Sequence, residues 1–184
     1  MIKLFKLIFP LSLVLLIASC SKDDDTAARS GLEGTWTATA MPVNLTNSAG
    51  GTTAVSTITG NTFDYDLSFE ESTFSTEGNY SATSVVVVDG YSTITDIDYT
   101  DVMSAGSYSI DGNIITIEGD GFFNFEAPGT IDPTGGAGMT GTQNATFEIN
   151  GDVLTMSQNE TLTTTFNGIT TTAIIVGSYT FERK

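Results

Sequence analysis

Alternation of apolar and polar residues with a period of two is the feature that most constrains how this chain folds. The stretch FDYDLSF (63–69) places four apolar side chains on one face of a strand and three polar side chains on the other. The stretches TWTATA (35–40), TFEIN (146–150) and GSYTFE (177–182) repeat this pattern. A strand of this kind buries one face and leaves the other in solvent. No helical period of comparable length occurs, so the sequence predicts an all-β protein.

Tight-turn dipeptides between the apolar runs indicate that neighbouring strands are antiparallel. Such dipeptides tolerate positive φ and are strong signals for two-residue hairpin loops. Hairpins of this kind build either an up-and-down barrel or a β-sandwich. Two hairpin sequences, YSIDGNIITI (108–117) and FEINGDVLTM (147–156), align without gaps, through either an old duplication or convergence of tight hairpins. The four turn dipeptides are Asp89-Gly90, Asp111-Gly112, Asn150-Gly151 and Asn167-Gly168.

Charge and composition exclude several classes of function. The chain of 184 residues has 22 acidic and 6 basic residues, no histidine, one cysteine and a formal charge of -16. A field of that sign repels phosphate backbones, so we expect no nucleic-acid partner. One cysteine forms no internal disulfide, and the lack of histidine excludes Ser/His and Cys/His nucleophiles and histidine-based metal sites.

Carboxylates are therefore the remaining candidates for chemistry. None of them has the spacing of a calcium loop, and no pair is placed by sequence across a cleft. We expect these side chains to lie in solvent, and we predict no catalytic residues, no metal, no cofactor and no enzymatic activity. A glycoside hydrolase that uses two carboxylates is the least favoured alternative. The carboxylates considered are Glu70, Glu71, Asp96, Asp98, Asp101, Glu118 and Asp120.

The N-terminal segment has the features of an export signal. Lys3 and Lys6 precede an apolar run that is too short to span a bilayer and ends in small residues. The sequence Ile-Ala-Ser-Cys (17–20) resembles the lipobox of bacterial lipoproteins. That resemblance implies that residues 1–19 are a signal peptide and that Cys20 carries acyl chains, which together give stable membrane anchoring.

An acidic linker, residues 20–31, follows the cysteine. Removing residues 1–19 takes away two lysines, so 4 basic and 22 acidic residues remain and the charge becomes -18. Like charges extend a linker, which is the simplest interpretation of SKDDD (21–25). The run after the cysteine also resembles the export signal of Bacteroidota surface lipoproteins. It implies an outer-membrane location on the cell surface, with a periplasm-facing anchor as the alternative.

Three further segments resemble bacterial lipocalin-like domains. LEGTW (32–36) resembles the start of their first strand, GSYSIDGNIIT (106–116) a mid-domain motif, and YTFERK (179–184) their last strand. The resemblance implies one antiparallel up-and-down barrel from residue 32 to 184, with a β-sandwich as the alternative. It also implies that Arg183 stacks on Trp36.

A barrel of this size either encloses one small apolar ligand or is filled by its own side chains. We therefore expect a lipid-anchored envelope protein that binds a small apolar or amphipathic ligand or serves as an accessory binding module. The alternative is a structural or adhesive surface protein that contacts a protein or a glycan. We make no prediction of the oligomeric state. The candidate ligand-binding residues, each of a kind that is more often a core residue than a ligand contact, are Trp36, Phe63, Tyr65, Phe69, Tyr108, Phe147 and Tyr179.

A cluster of phenylalanines precedes a stretch rich in glycine and proline. Phe122, Phe123 and Phe125 come before residues 127–141, which we expect to form a long loop. The cluster belongs either to the core or to an apolar lip above a cavity.

Overall fold

A computed structural model describes residues 31–123, 140–166 and 169–184. The proposed signal peptide, Cys20 and nearly all of the acidic linker lie outside these residues, as do Phe125 and most of the expected loop. The described chain is folded into β-strands apart from a helical turn at residues 31–32 and the short connections. The strands are β1 (Gly34–Ala40), β2 (Pro42–Ala49), β3 (Thr52–Glu70), β4 (Thr73–Val88), β5 (Tyr91–Asp111), β6 (Ile114–Asp120), β7 (Thr140–Asn150), β8 (Val153–Phe166) and β9 (Ile169–Arg183).

The strands form a closed antiparallel barrel, as the sequence predicted, rather than a β-sandwich. From β2 to β9 each strand pairs with the next along the chain, and β2 pairs with β9 to close the ring. β1 and β2 follow one another between β3 and β9, and each pairs with both of these strands. The two strands thus share one position, and the wall has eight positions in up-and-down order.

Met41 separates β1 from β2. Its side chain is buried, and its carbonyl oxygen accepts a hydrogen bond of 3.0 Å from the Gly60 N–H. Pro42 follows and has no N–H to donate to a ladder. The register of β3 against β4 shifts by one residue between Gly60 and Thr62. A bulge of this kind bends a strand. Strand β3 therefore bends at the level of the wall where the chain passes from β1 to β2.

Three of the four turn dipeptides join neighbouring strands as predicted, and Asn167-Gly168 lies outside the described residues. Asp89-Gly90 joins β4 to β5 with φ angles of 51° and 83°. Gly112 and Gly151 also have positive φ, in the turns that join β5 to β6 and β7 to β8. The two similar hairpin sequences form these last two turns, with Tyr108 opposite Ile117 and Phe147 opposite Met156.

The barrel has two different ends. The base is the end where β1 begins and β9 ends, together with the β3–β4, β5–β6 and β7–β8 turns. The rim is the opposite end, where the β2–β3 and β4–β5 hairpins turn. Strands β3 and β5 have 19 and 21 residues, whereas β6 has 7. The wall is therefore taller on one side than on the other.

The core fills the barrel from the base upward. Trp36, Leu67, Leu154 and Phe181 are fully buried near the base. After β6 the chain turns into the interior, where the Phe122 and Phe123 side chains are 7% and 2% exposed. These two phenylalanines therefore belong to the core and not to an exposed lip.

Candidate functional site

The structure places all seven candidate aromatic residues on the inner face of the barrel. They lie on β1, β3, β5, β7 and β9, and the alternation seen in the sequence directs each of them inward. Six are buried, and Phe63 is half-buried against the core. The buried six are Trp36, Tyr65, Phe69, Tyr108, Phe147 and Tyr179.

Phe123 brings several of these rings together in the centre of the barrel. Its ring is 5.1 Å from that of Tyr65 and 5.1 Å from that of Tyr179, in stacked arrangements. The Tyr80 ring meets it edge-on at 5.4 Å. Aromatic pairs at such separations add roughly 0.5–1.5 kcal/mol beyond the area they bury. At this level the candidate residues therefore contact the protein's own rings.

Phe122 packs against a second set of rings, nearer the base of the barrel. Its ring meets Phe74 edge-on at 5.0 Å and Phe69 at 6.0 Å. The Phe69 ring in turn lies 5.1 Å from Tyr108. Phe122 also contributes its backbone, because the Tyr65 hydroxyl donates a 2.6 Å hydrogen bond to its carbonyl oxygen. These contacts fix the 121–123 turn inside the barrel.

An enclosed space of about 10 Å³ remains beside the ring cluster. Ile115, Phe123, Gln143, Gln158 and Tyr179 are among the residues that line it. A single water needs a volume of about 10–15 Å³ by the same measure. This space is therefore far smaller than a ligand cavity.

Two buried glutamines, which the sequence analysis did not select, hold the wall together at this level. The Gln158 amide nitrogen donates to Gln143 at 3.3 Å and to the Glu160 carboxylate at 3.2 Å. Its amide oxygen accepts a 3.0 Å hydrogen bond from the Tyr179 hydroxyl. Their position in the period-two alternation was the indication in the sequence that they point inward. Gln143 shares the inward face with Phe147, and Gln158 shares it with Met156. Their partners depend on the fold.

This polar network lies where two neighbouring strands separate. The β7–β8 ladder runs from Asn150 and Val153 to Thr146 and Ser157 and ends there. Beyond that point, the Asn144 N–H donates to the Glu160 carboxylate at 2.5 Å. A side chain thus takes the place of the backbone acceptor that a continued ladder would supply. The network closes the wall at the separation.

At the base, Arg183 and Trp36 hold the start of the domain in an arrangement that we call the clamp. The Arg183 guanidinium lies 4.1 Å from the centre of the Trp36 ring, which confirms the predicted stacking. It also donates to the carbonyl oxygens of Gly31 at 2.6 Å and Glu33 at 3.0 Å. The Trp36 indole N–H donates to the Leu32 carbonyl oxygen at 2.7 Å. The backbone from Gly31 to Glu33 is therefore fixed at the base.

The candidate carboxylates whose side chains are described lie apart from the ring cluster, and the Asp120 side chain is outside the described part of the chain. Glu70 and Glu71 are exposed at the β3–β4 turn, and Glu118 is exposed on β6. Asp96, Asp98 and Asp101 are exposed on β5, and the Asp96 carboxylate accepts a 2.6 Å hydrogen bond from Thr83. In the described part of the chain, no group of three or more acidic or cysteine side chains could hold a metal ion.

Burial changes the acidity of two interior tyrosines. Desolvation raises the pKa of Tyr65 to about 12, and hydrogen bonds with Thr76 and Ser104 offset part of that effect. Desolvation also raises the pKa of Tyr179, and the nearby Glu160 charge raises it further. Both hydroxyls therefore stay protonated at neutral pH and act as hydrogen-bond donors.

Comparisons with protein families, characterised proteins and solved structures found no match to this chain. The described residues include no helix that is both long and apolar enough to cross a bilayer.

The buried Tyr65 hydroxyl should make the barrel less stable as the pH rises into the alkaline range. Because its pKa is raised in the fold, unfolded chains lose this proton first as pH increases from about 10 to about 12. We expect the free energy of unfolding to fall across this range and to fall less steeply in Tyr65→Phe, which has no proton to lose. Urea unfolding of both proteins at several pH values measures the two slopes. Equal slopes would contradict the burial of this hydroxyl.

Proposed function

We propose that this chain is a lipid-anchored envelope protein whose lipocalin-like barrel is a binding module. The observation that carries the proposal is the position of Gly31, which Arg183 holds at the base of the barrel. Cys20 is eleven residues earlier, and a chain of that length reaches at most about 40 Å. An acylated Cys20 would therefore keep the base near the membrane and direct the rim away from it.

The proposed cargo is a small apolar or amphipathic molecule in the rim half of the barrel. The base half has little room, since Phe123 and the rings around it occupy the interior. In the rim half the inward side chains of Ser56, Ala82 and Ala173 are small, so they occupy less of the interior than the rings do. The Ser84 hydroxyl is also buried at this level and has no hydrogen-bond partner among the described residues. A ligand acceptor would satisfy it.

The acidic run after Cys20 supports an outer-membrane location with the barrel on the cell surface; a periplasm-facing anchor is the alternative. The charge of -16 also disfavours nucleic acid and anionic lipid headgroups as partners. The proposed membrane contact is therefore made by the acyl chains. No enzymatic activity is proposed, because the exposed carboxylates are not gathered at the interior.

An adhesive role is the second candidate, and the side chains near the β4–β5 hairpin favour it. Tyr91 is 83% exposed at the tip, and Ile94 and Val87, 68% and 38% exposed, are neighbours on the outer face of the hairpin, at the end of the barrel that is farthest from Gly31. Exposed apolar side chains that lie together often mark protein contacts. Under this alternative the rim would contact a partner protein, and the interior would hold no cargo.

Lipid anchoring is tested by Cys20→Ala. We expect this variant to move from the membrane fraction to the soluble fraction, because it has no thiol to acylate. Ser21→Ala, one residue later, is the matched control and should stay with membranes. A variant with Asn at positions 23, 24 and 25 should remain anchored but lose accessibility to protease on intact cells. Membrane retention of Cys20→Ala would refute the proposed anchor.

Cargo binding is tested by native mass spectrometry of protein purified from its own membranes. We expect an additional small-molecule mass that disappears on denaturation. Ala82→Leu fills space in the rim half and should remove that mass, whereas Tyr91→Ser at the exposed tip should retain it. Circular dichroism identifies any variant that has failed to fold. A folded wild-type protein with no bound molecule would contradict cargo binding and leave adhesion as the favoured role.

A further inference from the structure

A groove lies on the outer wall of the barrel, beside the point where β7 and β8 separate. Its volume is about 580 Å³, within the range of roughly 300–1,000 Å³ that is typical of small-molecule sites. Its walls come from β2, β6, β7, β8 and β9. The lining includes Asn44, Ile114, Asn144, Asn159 and Val176. This groove is distinct from the interior proposed for apolar cargo.

The lining of the groove is uncharged, and the Glu160 carboxylate lies beside it, hydrogen-bonded to the Asn144 N–H and the Gln158 amide. None of the side chains that line it carries a formal charge. The carboxylates of Asp64, Asp66 and Glu77 lie instead on the outer faces of β3 and β4. An anionic ligand would find no cation in the lining and would be repelled by Glu160, whose carboxylate is itself already engaged by two hydrogen bonds. The electrostatics of the groove therefore oppose an anionic ligand, and its uncharged lining suits a neutral one.

Neighbouring threonines orient two of the asparagine amides. The Thr57 hydroxyl donates to the Asn44 amide oxygen at 3.1 Å, and the Thr116 hydroxyl donates to the Asn144 amide oxygen at 2.7 Å. Each carboxamide has one acceptor oxygen and an NH₂ group with two donor hydrogens. Because the oxygens are engaged, the NH₂ groups are the parts of these amides that remain to face a ligand. The groove thus presents hydrogen-bond donors in fixed orientations.

Two exposed apolar side chains and one buried, hydrogen-bonded glutamine complete the lining of the groove. The Ile114 and Val176 side chains are 42% and 45% exposed there. Gln158 forms part of the floor and is only 6% exposed, held by its hydrogen bonds with Gln143, Glu160 and Tyr179. The floor is therefore held in place before any ligand arrives, which lowers the ordering cost of binding.

We propose that this groove binds a neutral oligosaccharide. Sugar hydroxyl, ring and acetamido oxygens accept hydrogen bonds from amide NH₂ groups, and the C–H faces of a sugar ring pack on apolar side chains such as Val176. A purely apolar ligand would cover the Asn44 and Asn144 amides without satisfying them, which opposes binding. The proposal does not depend on the interior cargo, because the two sites lie on opposite sides of the wall.

The test is an NMR titration of the full-length ¹⁵N-labelled chain in a zwitterionic detergent, since alkyl-glycoside detergents would compete. The probes are maltotriose, cellotriose and triacetylchitotriose, with trigalacturonate as the anionic comparison and a neutral threonine-rich hexapeptide as the non-sugar comparison. We expect at least one neutral sugar to shift the amide resonances of Asn44, Asn144 and Asn159. Trigalacturonate and the hexapeptide should shift them less.

Variants show whether the shifts arise from the groove. Asn44→Ala should weaken sugar binding about five- to tenfold, the loss expected for one neutral hydrogen bond. Val176→Glu, which places a charge on the apolar wall, should weaken it more. Asn61→Ala is the matched control, because this exposed amide binds Thr83 on another part of the wall and does not line the groove.

Three outcomes would overturn the proposal. The first is that no neutral sugar shifts the groove resonances, and the second is that Asn44→Ala and Asn61→Ala bind equally well. The third is stronger binding of the hexapeptide, which would identify the groove as a peptide site. Loss of interior cargo in Ala82→Leu should leave sugar binding intact, so failure of one site is distinguishable from failure of the other.

Discussion

The packing of Phe123 in the centre of the barrel is the interaction on which the remaining structure depends. An eight-position barrel has an interior just wide enough for side chains to fill it or for one small ligand. Here the rings of Tyr65, Tyr80 and Tyr179 contact Phe123 from three different strands. This contact brings opposite walls into one core. It also divides the interior into a packed base half and a rim half.

The clamp at the base gives the barrel a direction. Arg183 at the end of the last strand binds the backbone at Gly31 and stacks on Trp36 at the start of the first strand. Both ends of the domain are thereby held at one end of the barrel. If Cys20 is acylated, the rim and its hairpins are the surfaces that remain available to partners in solution. The wall groove lies between the two ends, and the side chains that line it are uncharged although the protein is acidic.

Much of the wall could be predicted from the sequence because it follows local rules. Alternation assigned the stretch 63–69 to a strand, and Asp111-Gly112 marked a hairpin, since both depend on neighbouring residues alone. The strands are longer than the alternating stretches indicated. Gly60 and Gly78 interrupt the pattern in the sequence but lie inside β3 and β4. An added side chain at Gly78 would lie 2.1 Å from the Asp64 carbonyl oxygen, so close strand approach requires glycine there.

The interior contacts could not be predicted in the same way. Phe122 and Phe123 are adjacent and both buried, which breaks the period of two, because the chain leaves β6 and turns into the barrel. Gln143 and Gln158 occupy inward positions where the pattern predicts apolar residues, and they are satisfied by each other and by groups from other strands. The groove depends on where the β7–β8 ladder ends, and that is a property of the closed wall.

The central claim is that the protein's own rings fill the middle of the barrel, which leaves the rim half and the outer wall as the places for the proposed binding sites. Nuclear Overhauser effects from the Phe123 ring protons test this most directly. The account predicts cross-peaks to the ring protons of Tyr65, Tyr80 and Tyr179 in the folded protein. A Phe123 ring with random-coil chemical shifts and no cross-peaks to these three tyrosines would contradict it.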